Sequence, residues 1–69
     1  MSEDTALPRR TLERLRLLAH GDVKARQHAV DTLIGDGHPV VVRALAEALS
    51  DEAPGVREGA AFALATCGP

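Results

Sequence analysis

The stretch SDEAPGVREGAAFALATCG, residues 50–68, decides how this chain folds. It opens with Asp51, Glu52, Ala53, Pro54 and Gly55, where proline and glycine favour a turn and the carboxylates suit the positive end of a following helix. A helix of small residues comes next. Val56, Arg57, Ala60, Ala61 and Leu64 recur three to four residues apart, so they share one helical face. Four of the five are apolar. The exception is Arg57, and an arginine turned inward needs a partner close by. Asp51, six residues earlier in the turn, is the expected one.

Length sets the scale of what this helix can pack against. A chain of 69 residues makes one small domain, and domains of this size bury only about 60% of the surface of the unfolded chain. The apolar residues are mostly Ala, Leu and Val, with Phe62 the one aromatic, which suits close-packed helices. The net charge of −2 provides no global attraction to nucleic acid or to an anionic membrane. Charge is nonetheless polarised along the chain. Residues 1–28 hold six basic against four acidic residues, net +2, and residues 29–69 hold two against six, net −4. Such a gradient can orient a partner or a second copy of the chain. A single cysteine, Cys67, excludes an internal disulfide, and no apolar run approaches the length of a membrane span. The acidic start Met1-Ser2-Glu3-Asp4 is unlike a secretory leader. A cytoplasmic protein is the simplest expectation.

Residues 1–7 are polar and are expected to be flexible, with one helical domain over residues 8–69. Pro8 suits a first helical turn, and RRTLERLRLLA after it places Leu12, Leu15, Leu18 and Ala19 on one stripe. Gly21 is expected to cap the end of this helix and Asp22 the start of the next. The second helix covers about residues 23–34, with Arg26, Ala29, Val30, Leu33 and Ile34 inward; Gly35-Asp36-Gly37 ends it. Pro39 opens a third, residues 39–49, with Val41, Val42, Leu45, Ala48 and Leu49 inward. The run Val40-Val41-Val42 alone suits a strand, but the ALAEAL continuation has no alternation and is made of strong helix formers. A fourth helix runs over residues 54–66.

Shifting the sequence by 31 residues aligns like with like. Leu18 falls on Leu49, Arg26 on Arg57, Ala29 on Ala60, Leu33 on Leu64 and Gly37 on Gly68. A repeat of this length with two helices per unit is the mark of a solenoid. The fold expected is therefore all-α, a short right-handed α-solenoid of about four antiparallel helices. On these residues the chain resembles the HEAT-like repeats of the phycobilisome-lyase type. Their unit runs from a turn aspartate through Val-Arg, a run of alanines and Ala-Leu to a closing glycine. The matching positions are Asp51, Val56, Arg57, Ala60, Ala61, Ala63, Leu64 and Gly68, and more weakly Ala25, Arg26, Ala29, Val30, Leu33 and Gly37. The resemblance implies a ladder of hydrogen bonds between successive repeats, with Asp51, Arg57 and Arg26 as its rungs. His20 stands at the first repeat's aspartate position, so that rung needs Asp22 or Asp51 instead. Phe62 departs from the family pattern where a solvent-facing Glu or Lys is usual, and Asp36 and Cys67 where a buried Ile or Leu is usual.

Counted against that unit, the helices run second, first, second, first, so the helix that would cover the fourth is missing from the 69 residues. An Ala/Leu/Phe surface is left for a protein partner or another copy, with Phe62 as anchor and Glu58 and Ala65 beside it. The function expected is a non-catalytic protein-interaction or scaffold module, without cofactor, metal or small-molecule substrate. Three alternatives stand beside it, one of them that the 69 residues are a piece of a longer repeat protein. Arg9, Arg10, Arg14, Arg16 and Lys24 form a basic cluster suited to nucleic acid, as in HEAT-like DNA glycosylases, although the acidic net charge and lack of stacking aromatics oppose it. The resemblance also implies a bilin-lyase-like accessory role. His20, His28 and His38 lie on separate elements without ligand spacing, and Cys67 has no histidine at a helical offset, so it is expected as a core filler.

Overall fold

The computed structural model describes residues 7–67. Four helices follow one another: α1 Arg9–His20, α2 Val23–Thr32, α3 Pro39–Ala48 and α4 Pro54–Cys67, with no strand among the described residues. Each boundary has a local cause. Pro8 is extended and precedes α1. The Asp22 carboxylate accepts from the Ala25 N–H at 2.8 Å and starts α2. His38 starts α3, its Nδ1 accepting from the Val40 N–H at 3.1 Å, with Pro39 in the first turn. Gly35, at φ +87°, supplies the left-handed residue that reverses the chain after α2. Gly21 ends α1 as expected but in an extended conformation. Its glycine is required by space, since a Cβ there would lie 2.6 Å from the Leu17 carbonyl oxygen.

The helices form two layers. α1 packs on α2 and α3 on α4 within each hairpin, while α2 meets α4 and α1 meets α3 across them. This is a short all-α solenoid, two hairpins deep. Its core is one cluster centred on Val30, Leu33, Val41, Leu45 and Val56, all fully buried. Each contributes about 1.5–3 kcal/mol relative to an exposed side chain.

The inward faces differ in phase from the sequence expectation. On α1 the buried stripe is Thr11, Leu15 and Leu18, with Leu15 half-buried, and Leu12 and Ala19 are exposed. On α4 it is Val56, Ala60 and Ala63; Ala61 and Arg57 are exposed and Leu64 is half-buried. Both shifts have one origin. α1 has leucines at four positions, and α4 has alanines on every side, so neither pattern marks a single face. Ile34 and Leu49, expected inward, lie past the ends of α2 and α3 and are exposed. Leu7, in the segment expected to be flexible, is buried. The rest of that segment, and the capping role expected of Gly68, lie outside the described residues.

Candidate protein-docking surface

The turn between α3 and α4 positions everything at the C-terminal side of the stack. Asp51 Oδ1 accepts from the Ala53 N–H at 2.9 Å, which closes the turn ahead of Pro54. The same carboxylate takes the Arg26 guanidinium in a two-point pair, Nε to Oδ2 at 2.9 Å and Nη2 to Oδ1 at 3.1 Å. Arg26 Nη1 donates to the Gly21 carbonyl at 2.8 Å. One arginine thus joins the end of α1, the body of α2 and the turn before α4. Its side chain and that of Asp51 are 15% and 14% exposed, so water screens this pair far less than it screens a surface ion pair. The Asp51 carboxyl is held below the usual carboxylate range. The Ala53 N–H is the largest cause and the Arg26 hydrogen bonds follow; partial burial opposes them.

Arg57 is placed differently from the sequence expectation. It does not turn into the core, and its partner is not the Asp51 carboxylate. Its Nη1 donates to the backbone carbonyls of Asp51 at 2.9 Å and Glu52 at 3.1 Å, and the side chain is exposed. The helix satisfies its own preceding turn this way. Arg26 repeats the habit 31 residues earlier, since Gly21 stands to Arg26 as Glu52 stands to Arg57. The pairing of Arg26 with Asp51 also answers the substitution of His20 in the first repeat: the aspartate of one hairpin takes the arginine of the hairpin before it. No carboxylate oxygen lies within 4.0 Å of Arg57 among the described residues.

Away from the turn, α4 approaches α2 closely through two glycines, Gly55, which the sequence reading gave to the turn, and Gly59, which it passed over. A Cβ on Gly55 would collide with the Gln27 amide, and one on Gly59 would lie 2.9 Å from Val30 Cγ1. The signal was available as two glycines four residues apart within a helix. With one side of α4 against α2 and another against α3, its remaining surface faces outward. Glu58, Phe62 and Ala65 fall at i, i+4 and i+7 there, one stripe, all exposed. Phe62 is 59% exposed, the most exposed of the large apolar side chains among the described residues.

Of the other singled-out residues, Arg9 and Arg16 line one open pocket on α1 with Leu7, Leu12 and Glu13. Arg9, Arg10 and Arg16 are exposed on α1, Arg14 is half-buried and Lys24 lies exposed on α2. His20 and His28 are exposed, and His38 serves as the cap of α3. No group of three or more metal-ligating side chains occurs among the described residues. The Cys67 side chain, expected in the core, lies outside the described residues. No helix among the described residues is long and apolar enough to cross a membrane.

A family model described as HEAT repeats matches residues 11–69. No curated protein and no solved structure matches the chain.

Proposed function

Because the chain belongs to the HEAT-repeat family, whose members generally mediate protein–protein interaction and are generally non-catalytic, we propose that it is a docking module working through the outward face of α4. The observation that supports this reading is the stripe of Glu58, Phe62 and Ala65. It presents an aromatic side chain on a helix held rigid from two sides, and aromatics carry a disproportionate share of interface energy. The small residues around Phe62 let a partner's backbone approach closely, while Glu58 fixes its orientation. Rigidity comes from below, where Gly55 and Gly59 of α4 sit against α2, and from the Arg26–Asp51 pair at the turn. The module needs no motion to bind and presents its surface already formed.

The test is photo-cross-linking in an extract of the source cells. A photoreactive residue at position 65 should give a discrete protein adduct that the same residue at position 43, exposed on α3, does not. Phe62→Ala should lower its yield by about fivefold or more with the thermal transition unchanged. An adduct indifferent to position, or to Phe62, refutes the reading.

A further inference from the structure

The contacts between the two hairpins can be carried forward by one repeat, and they then name an occupant for the α4 side of the stack. Three contacts define how the first hairpin meets the second. Arg26 pairs with Asp51, Gln27 abuts Gly55, and Val30 abuts Gly59. In the other layer, Leu15 and Leu18 share a groove with Ala44 and Ala48. Adding 31 to the first member of each contact gives the outward residues Arg57, Glu58 and Ala61 on α4, and Ala46 and Leu49 at α3. Subtracting 31 from the second member gives the residues that the start of this same chain would bring there: His20, Lys24 and His28, with Glu13 and Leu17.

We propose that a second copy of this chain docks head to tail on the outward side of α4, its α1–α2 hairpin taking the place of a third repeat. This rests on the reading of α4 as a docking face, and it names the partner. Two pairings carry it, and a third position shows where the ladder is left incomplete. Glu58 meets Lys24 of the second copy, opposite charges at equivalent positions, both exposed. Leu49 meets Leu17 of the second copy; both are exposed large apolar side chains that the single chain leaves uncovered. At the third position Arg57, which has no carboxylate within reach among the described residues, meets His20, which is exposed where the next aspartate would stand and supplies no opposite charge. The polarity of the chain, +2 in residues 1–28 and −4 in residues 29–69, favours head-to-tail over head-to-head approach. The Gly59–Val30 contact becomes His28 against Ala61, so the bulk crosses from one side to the other. Gly55 becomes Lys24, a longer side chain, so the copies sit further apart than the hairpins do and the contact is weaker than the one inside the chain. Such a contact is heterologous: each copy still offers its own α4, and assembly continues past the dimer.

Sedimentation equilibrium of the full chain at low ionic strength tests this. Wild type should show concentration-dependent association that grows beyond a dimer. Lys24→Glu and Glu58→Lys should each weaken it by about fivefold or more, because attraction becomes repulsion, and the two together should restore it. His20→Asp should strengthen association by about tenfold through a rung of the same kind as Arg26–Asp51, and adding Arg57→Gln should cancel that gain. All four positions are exposed, and circular dichroism confirms that each variant folds. A monomer at all concentrations for both wild type and His20→Asp overturns the proposal. So does a closed dimer, or association indifferent to both charge reversals. If a cross-link from position 65 captures a different protein and the chain itself stays monomeric, the docking face stands and the second copy is the wrong occupant. If association follows the charge reversals while Phe62→Ala changes nothing, the second copy stands and the role of Phe62 falls.

Discussion

Replacing Gly59 by alanine sets two effects of known size against each other. In a helix interior alanine is favoured over glycine by about 1 kcal/mol. At Gly59, however, the new Cβ would lie 2.9 Å from Val30 Cγ1 and 3.7 Å from its Cβ. Val30 is fully buried, and a β-branched side chain on a helix has one strongly preferred χ1 rotamer, so it has nowhere to turn. Forcing a methyl into a packed contact costs about 1–3 kcal/mol, which leaves a net loss of about 1 kcal/mol. Gly55 lies on the same side of the same helix with the opposite balance. The atom its Cβ would meet is the amide nitrogen of Gln27, the far end of a flexible and only partly buried side chain. Gly55→Ala should therefore stabilise by a few tenths to about 1 kcal/mol. For a domain of this size 1 kcal/mol moves Tm by about 4–8 °C, so the two variants should melt on opposite sides of wild type. Thermal and urea unfolding followed by circular dichroism measure this directly. A double-mutant cycle with Val30→Ala should return a coupling of at least about 0.5 kcal/mol for Gly59→Ala and none for Gly55→Ala. If Gly59→Ala stabilises as much as Gly55→Ala, the close approach of α2 and α4 is not as described, and the register carried forward from it fails as well.

Two further outcomes concern the turns. Gly35→Ala should cost about 1 kcal/mol in urea unfolding, purely from its φ of +87°, because nothing lies within 4 Å of the added methyl; Gly37→Ala, equally open and with no such φ, should be neutral or slightly stabilising. Acid should weaken the Arg26–Asp51 junction in a defined direction. The Asp51 pKa is lowered on folding, so its contribution is fully present above the unfolded carboxylate range near pH 4 and is lost as pH falls through the lowered value. Asp51→Asn should flatten that part of the stability profile, and Arg26→Lys, which forfeits the two-point geometry, should destabilise more than Arg57→Lys.

The architecture was legible because its punctuation is chemical. Asp22, Gly35, Pro39 and Pro54 each act through a backbone conformation or a capping bond that depends on a few neighbouring residues. The 31-residue repeat then supplied the stacking of like helices. Side-chain phase was less legible. In GAAFALAT every residue but Phe62, Leu64 and Thr66 is a glycine or an alanine, so turning the helix by one residue changes little in the pattern. Only packing decides that Ala63 is buried and Ala61 is not. Asp51 was assigned first to Arg57 and offered only as one of two candidates for Arg26, for a related reason. Six residues to Arg57 is a short reach along the chain, while the true partner lies 25 residues back and is brought near by the contact of α2 with α4. Of the docking stripe, Phe62 was recognised as an aromatic where the family usually carries a charge. Of the glycines that seat its helix against α2, Gly55 was read only as a turn residue and Gly59 was overlooked, since a missing side chain leaves no polarity to follow.

The two reversals of the chain between α2 and α4 are built to very different tolerances. In the connector after α2, Gly35 and Gly37 have nothing within 4 Å of the direction in which a side chain would extend. The connector before α4 is clasped by two arginines, one at Asp51's carboxylate and one at its carbonyl. Lengthening the first, or severing it, leaves both helical hairpins their own contacts. Adding a residue at the second shifts Asp51 relative to Arg26 and Pro54 together, so a splice there strikes the seam on which the hairpins are joined. An engineer fusing a reporter, and a gene acquiring an insertion, would find room at the same one of the two places.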